Sequence, residues 1–132
     1  MAERNLSTLL KTLEIKRHEG VWTFSTIPAE TASWAELVNL QSVREIAMMF
    51  TETEGLSLIH AASEDTAADN RWVWLELSVF SDLNAVGFLA AIAAALTAAD
   101  IPCNAVAAYH HDHIFVPETR VADAIAAMTA LT

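Results

Sequence analysis

The stretch from Arg71 to Val79 constrains the fold most, because aliphatic side chains alternate regularly with aromatic or polar ones. The apolar set is Val73, Leu75, Leu77 and Val79, and the alternate set is Trp72, Trp74, Glu76 and Ser78. Successive side chains of a β-strand point to opposite faces, so this pattern predicts a strand with one face in a core. The two tryptophans indicate that the other face is covered as well, by another sheet or by a partner.

The residues after this strand predict a long helix. Within Asn84–Ala99 the large apolar residues recur at helical spacing, at Phe88, Leu89, Ile92 and Leu96. Alanines fill most other positions, which allows another backbone to approach closely. Ile101-Pro102 ends the helix, because proline disfavours the helical conformation of the residue before it.

Two strands and a last helix are predicted to follow. The strands are Asn104–His110 and His113–Val116, joined by a tight turn. The helix carries Val121, Ile125, Met128 and Leu131 on one face. The second half of the chain therefore has the order β-α-β-β-α, which is the ferredoxin-like order without its final strand.

The first half predicts similar elements. Asn5 can cap a short helix with leucines on one face. Glu14–Glu19 and Val21–Ile27 are predicted to form a hairpin that turns at Gly20. A capping-box pattern at Ser33 predicts a second short helix.

A second hairpin is predicted around Gly55. Its strands are Glu45–Thr51 and Leu56–Ala61, and Gly55 supplies the backbone freedom that the turn needs. The order of the first half is then α-β-β-α-β-β. This is the same plan as in the second half if the first helix and strand stand in for the missing final pair.

We therefore predict an α+β fold of two ferredoxin-like modules in tandem, each an antiparallel sheet with helices on one face. The predicted modules are residues 1–66 and 67–132, joined by the small polar segment Ser63–Asn70. Which module uses Glu14–Glu19 as an edge strand stays open at this point.

Composition limits the classes of partner. The net charge of −10 argues against nucleic acid and against anionic membranes, because phosphates would be repelled. The chain is 54% hydrophobic and only 18% charged, and such surplus apolar surface often lies in a subunit interface. We therefore expect a homo-oligomer that binds neither nucleic acid nor membrane.

Composition also indicates the compartment. Cys103 is the only cysteine, so neither an internal disulfide nor a cysteine-rich metal site can form. The segment Met1–Gly20 is rich in charge, unlike a signal peptide, and Ala85–Ala99 is too short to span a bilayer. A cytoplasmic protein is expected.

Several motifs resemble small bacterial tandem ACT-domain proteins. The resemblance is carried by Ser81–Ala90, by Asp100–Asn104 and most specifically by the run His-Asp-His-Ile-Phe-Val-Pro that ends at Pro117. Met48-Met49-Phe50 and Glu54–Leu58 resemble the N-terminal module of the same proteins. The resemblance covers nearly the whole chain and implies two βαββαβ modules, often oligomeric, that sense amino acids or other small molecules.

The resemblance also implies a place for the ligand and an absence of catalysis. ACT modules bind ligands at module interfaces, near the loop after the first strand, and here that loop matches Phe80–Gly87. No enzyme domain accompanies the modules, so we expect a non-enzymatic, allosteric sensor without a cofactor.

This loop carries groups that suit an amino acid. A helix N-terminus exposes unpaired N–H groups, so a carboxylate could accept hydrogen bonds from Val86 and Gly87. Asp82 could hold the ammonium group, and Ser81 or Asn84 could bond to either end. The alternative is that Asp82 or Asn84 only caps the helix while Gly87 allows close packing. The candidate ligand-binding residues are Ser81, Asp82, Asn84, Val86, Gly87 and Asn104.

The turn at His110–His113 is the other polar cluster. His111 and His113 lie on one side if the strand continues through the turn, so with Asp112 between them they could bind a metal. The alternatives are that Asp112 forms the turn by bonding to its own backbone, or that the histidines contact a ligand or an interface. We expect no metal here.

Two further functions stay open. One is an interaction module that oligomerises without a small ligand. The other is a metal- or Cys-dependent enzyme that uses the His110–His113 turn, with Cys103 paired to His110 or His111. The alternative for Cys103 is a small buried residue without reactivity.

Overall fold

The computed structural model describes residues 2–31, 39, 45–79 and 81–132. The helix predicted from Ser33 lies outside the described residues. The chain divides into two compact units. The C-terminal unit consists of Met1–Glu19 together with Trp72–Thr132, and the middle unit is Gly20–Arg71.

The elements of the described residues follow the predicted order closely. The helices are α1 (Leu6–Lys11), α2 (Phe88–Ala98) and α3 (Val121–Thr129). The strands are β1 (Ile15–Arg17), β2 (Trp22–Pro28), β3 (Ile46–Thr51), β4 (Gly55–Ala61), β5 (Trp72–Leu77), β6 (Asn104–Ala107) and β7 (Asp112–Pro117). Short 3-10 turns lie at Ala68–Asn70 and Glu118–Arg120. None of the helices in this part of the chain is long and apolar enough to cross a membrane.

The sheet of the C-terminal unit has the strand order β1-β5-β7-β6, with every pair antiparallel. Strand β1 lies beside β5, which is where a ferredoxin-like sheet places its final strand next to its first. The C-terminal unit therefore uses the strand from the segment Met1–Glu19, which answers the question left open above. The hairpin predicted at Gly20 is wrong, because β1 pairs with β5 whereas β2 pairs with β4.

The core of the C-terminal unit lies on one face of this sheet. Val73, Leu75 and Leu77 are fully buried, as the alternating pattern predicted. The helices cover them with a shared apolar cluster that includes Leu9, Leu13, Phe88, Ile92, Leu96, Val121 and Met128. Because Leu9 and Leu13 come from the start of the chain, that segment contributes both a strand and core side chains to this unit.

The middle unit has the strand order β3-β4-β2. The hairpin predicted around Gly55 is confirmed, since the N–H groups of Glu52 and Gly55 each donate to the other residue's carbonyl, at 2.8 and 3.2 Å. Buried His60 bonds through its two ring nitrogens to the Ser25 hydroxyl (2.8 Å) and the Ala61 carbonyl (2.9 Å). His60 thus has a structural role in this unit.

Candidate functional site

The loop that follows β5 is held by the start of the chain. Ser81 forms a parallel bridge with Glu3, and the Asp82 N–H donates to the Glu3 carbonyl at 2.8 Å. The guanidinium Nε of Arg4 lies 3.2 Å from Asp82 Oδ2. The position of this loop therefore depends on residues that are distant in sequence.

Asp82 forms a local turn and does not cap the helix. Its Oδ1 accepts a hydrogen bond from the Asn84 N–H at 2.7 Å, and its carbonyl accepts one from the Ala85 N–H at 2.9 Å. The Asn84 N–H, and then Arg4, lower the pKa of this carboxyl below its usual value. This turn uses the residues that were predicted to open the helix, so α2 begins only at Phe88.

Among the described residues, no side chain caps the N-terminus of α2. Its N-cap residue is Gly87, and the predicted cap at Asp82 or Asn84 is wrong. The N–H groups of the first helical turn have no partner within the helix and carry a partial positive charge. They are available to an anionic group placed against the turn.

A cavity of about 160 Å³ lies at this helix terminus, and we call it the inner cavity. Its polar lining comes from Ser81, Asp82 and Asp112, and its apolar lining from the first turn of α2 and the end of β6. The lining residues are Ser81, Asp82, Leu83, Ala85, Gly87, Phe88, Leu89, Ala107, Ala108 and Asp112. A neighbouring outer pocket of about 210 Å³ is lined by Ala2, Ser81, Asp82, Leu83, Asn84 and Tyr109.

Asp112 is a lining residue that the sequence analysis did not assign to this loop. It is buried, and its Oδ2 accepts a hydrogen bond of 3.1 Å from the buried Ser81 hydroxyl. The signal was present in the sequence: Asp112 shares a strand face with Ile114 and Val116, which lie in the core. A carboxylate on a core face needs a polar partner, and the loop supplies one.

The predicted ligand-binding residues are only partly brought together. Ser81, Asp82 and Gly87 line the inner cavity, and Asn84 lines the outer pocket. Val86 is 83% exposed and lines neither. Asn104 is exposed at the start of β6, opposite Phe115, and also lines neither. Ligand contact by these residues stays a prediction.

The structure separates Asp112 from the two histidines of the predicted His-Asp-His metal site, whose ring centroids lie 6.5 Å apart. Asp112 bonds to Ser81 on the core face, whereas His113 accepts a hydrogen bond from the Trp74 indole N–H on the other face. The turn before them is closed by the Ala108 N–H, which donates to the His111 carbonyl at 3.1 Å. Neighbouring strand residues point to opposite faces, so Asp112 does not join its flanking histidines around one ion.

Cys103 has the wrong environment for a nucleophile. The side chain is half-buried beside the core, and burial raises the pKa of its thiol. A reactive cysteine needs a lowered pKa, because the thiolate is the nucleophile. The geometry therefore gives no support to a Cys-dependent enzyme.

Comparison with known proteins identifies the fold family. One ACT-domain family model matches residues 1–71, and a second matches residues 68–130. The chain belongs to the ACT-domain family. ACT domains are ferredoxin-like regulatory modules that bind small molecules, so the predicted α+β tandem fold is confirmed. The predicted boundary between residues 66 and 67 stays a prediction.

Solved structures agree with this family. A Vibrio cholerae protein of unknown function, described as a possible transport protein, is 28% identical with a TM-score of 0.78, and the match covers 96% of this chain and 94% of that one. A structure of aspartokinase α and β subunits is 12% identical with a TM-score of 0.64, covering 89% and 95%. A putative C-terminal regulatory domain of aspartate kinase from Porphyromonas gingivalis is 15% identical with a TM-score of 0.57, covering 89% and 95%. A search of curated proteins found no match.

Proposed function

We propose that this ACT-family chain is a non-enzymatic regulatory protein whose signal is an amino acid bound in the inner cavity. The observation that carries the proposal is that a buried carboxylate, Asp112, and the uncapped N-terminus of α2 line the same cavity. An amino acid presents an anionic and a cationic group on one carbon. The lining offers a group of complementary charge for each of these two groups.

The first turn of α2 suits the ligand's carboxylate. Phe88 and Leu89 line the cavity, and their backbone N–H groups belong to the turn that lacks intrahelical partners. Anion binding at such a terminus is favoured by both the N–H groups and the helix dipole. Gly87 has no side chain that would keep a ligand away from this backbone.

Asp112 suits the ligand's ammonium group better than Asp82 does. Asp82 is already paired with the Arg4 guanidinium, whereas Asp112 accepts a hydrogen bond from the neutral Ser81 hydroxyl. A buried carboxylate is costly, so a cation that reaches it gains a strong electrostatic interaction. We therefore assign Asp112 as the ammonium partner and Ser81 as the residue that positions it.

The output of such a sensor passes to a partner that distinguishes the bound from the free state. The single cysteine leaves no internal disulfide to form, which favours the cytoplasm over an oxidising compartment.

The test is a thermal-shift screen of the proteinogenic amino acids at millimolar concentration. We expect at least one to raise the melting temperature, because a ligand at about 100 times its Kd stabilises the native state by about 2.7 kcal/mol. Asp112→Asn should abolish most of this shift, since the amide keeps the shape but loses the charge. Asp65→Asn, an exposed acidic residue of the middle unit, is the matched control and should keep it.

Two results would contradict the proposal. The first is that no amino acid raises the melting temperature. The second is an equal shift in Asp112→Asn and Asp65→Asn, which would place any binding elsewhere.

We also propose that the chain forms a homo-oligomer, because β3 exposes large apolar side chains. Met49 is 51% exposed and Phe50 is 62% exposed on this strand. Exposed apolar surface of this kind favours association.

We expect light scattering after size exclusion to give a mass above that of one chain, and Phe50→Ser to lower it. Val86→Ser removes an exposed apolar side chain elsewhere and should leave the mass unchanged. A wild-type monomer at all concentrations, or equal effects of the two substitutions, would argue against this interface.

A further inference from the structure

A second polar cluster lies on the opposite face of the C-terminal sheet from the core. Strand β5 turns Trp74 and Glu76 to this face, while its alternate residues are buried in the core. His113 on β7 is directly opposite Glu76 in the strand register. On the other side of β5, His18 directly follows β1, and its backbone N–H donates a hydrogen bond to the Trp74 carbonyl at 3.0 Å. Three adjacent strands therefore place two imidazoles and one carboxylate side by side.

The donor atoms of this cluster are close together. One ligand atom each from His18, Glu76 and His113 lie within 4.8 Å of one another. His18 Nε2 and Glu76 Oε1 are 2.9 Å apart. The His18 and Glu76 side chains are 25% and 16% exposed, so the cluster is shielded but open to solvent.

Trp74 orients both imidazoles. Its ring is stacked on the His18 ring, with centroids 3.7 Å apart and planes 3° from parallel. Its indole N–H donates to His113 Nδ1 at 2.9 Å. Glu76 is oriented in turn by the Ser78 hydroxyl, which donates to its Oε2 at 3.2 Å, and by His111, whose Nε2 lies 3.8 Å from the same oxygen. Carboxylates that ligate a metal are typically held by hydrogen bonds of this kind.

We propose that His18, Glu76 and His113 bind one divalent first-row cation, with zinc as the best match. Two imidazole nitrogens and one carboxylate oxygen are a common zinc donor set, whereas calcium and magnesium prefer oxygen donors only. Bonds of about 2.1 Å in a tetrahedral arrangement set donor atoms about 3.4 Å apart. No two donor atoms therefore need to approach by more than about 1.4 Å from their present limit of 4.8 Å. His18 Nε2 and Glu76 Oε1, now 2.9 Å apart, must separate slightly, and a fourth position stays open to solvent.

Binding requires two defined changes in the hydrogen bonds of the cluster. The proton between His18 and Glu76 leaves Nε2, because the cation takes its place: it moves to Nδ1 when the ring is neutral and to solvent when the ring is protonated. At His113, binding through Nδ1 displaces the Trp74 indole directly. Binding through Nε2 moves the ring proton to Nδ1, where it faces the indole N–H as a second donor. In both cases the hydrogen bond between Trp74 and His113 breaks. The fluorescence of Trp74 should therefore change when the cation binds.

The test is titration calorimetry of tag-free protein, stripped with a chelator, against zinc chloride. We expect one zinc per chain, with binding weakened more than about tenfold in His18→Ala and in His113→Ala. His110→Ala is the matched control, because it removes an exposed histidine next to the cluster, and should bind as the wild type does. Zinc should change the tryptophan fluorescence of the wild type, and this change should be lost in Trp74→Phe.

Glu76→Gln keeps the size of the side chain, so this variant is expected to fold. Its circular dichroism spectrum should match that of the wild type, whereas its zinc affinity should be lower. Absence of saturable binding at millimolar zinc would overturn the proposal. So would unchanged affinity in the His18 and His113 variants, or an equal loss in His110→Ala. In those cases the cluster has a structural role, through the hydrogen bonds between His18 and Glu76 and between Trp74 and His113. When the amino-acid screen is also run on chelator-treated protein, failure of one proposal does not decide the other.

Discussion

A chain that begins at Gly20 is expected to lose the folded C-terminal unit. The missing residues supply β1, which pairs with β5, and α1, whose Leu9 is 1% exposed in the core of that unit. Loss of a buried leucine alone costs about 2–5 kcal/mol, and loss of the strand leaves the backbone of β5 without those partners. Since domains are stable by only about 5–15 kcal/mol, the combined loss is comparable to the whole stability. Urea unfolding followed by circular dichroism measures it.

Two single substitutions give the graded form of this prediction. Leu9→Ala should lower the free energy of unfolding by about 2–4 kcal/mol, because it leaves a cavity in a packed core. Leu6→Ala, one turn earlier and 36% exposed, should change it by less than about 1 kcal/mol. If the chain lacking Met1–Glu19 unfolds at the same urea concentration as the full chain, β1 and α1 are not structural parts of this unit. Equal costs for the two leucine variants would lead to the same conclusion.

Gly55→Ala is expected to destabilise the middle unit by at least about 2 kcal/mol. Gly55 has φ +154°, and a Cβ there would overlap the Ile27 carbonyl oxygen and crowd the Ala29 nitrogen. Both neighbours are backbone atoms at the end of β2, which pairs with β4, so they cannot move aside as a side chain could. Thermal or urea unfolding of the variant measures the loss.

Gly20→Ala separates backbone strain from steric overlap. Gly20 also has a positive φ, of +85°, but a Cβ there would meet no atom within 4 Å. Its cost should therefore be only that of the left-handed conformation, about 1 kcal/mol. A Gly55→Ala protein as stable as Gly20→Ala would show that the β3–β4 turn relaxes easily, contrary to this account.

Local patterns predicted the elements well where one physical rule dominates. The alternation around Val73, Leu75 and Leu77 predicted a strand with a core face, and these residues are fully buried. The helical spacing predicted α2, but its start was placed too early, at Asn84 instead of Phe88. The carboxylate of Asp82 bonds to the Asn84 N–H and forms a separate turn, and propensity alone does not distinguish such a turn from a cap.

The two candidate sites differ in how much of them the sequence could reveal. The loop of the inner cavity was predicted from Ser81, Asp82 and Gly87, which are neighbours in the chain. Asp112 was missed as its partner. His113 was named as a possible metal ligand, but its grouping with His18 and Glu76 was missed, because their strands are far apart in sequence. Periodicity shows which face a residue occupies, but it does not show which strand lies beside it.

The sequence by itself determined the elements, the buried faces and the tandem ferredoxin-like plan, because these depend on the local spacing of apolar residues and turn formers. Only the tertiary structure decided that the segment Met1–Glu19 completes the C-terminal sheet, that Asp112 meets the loop at Ser81, and that Glu76 lies between two histidines. The physical reason is that strand pairing is set by which backbone edges and apolar faces satisfy one another in space. Such pairing joins segments regardless of their distance along the chain.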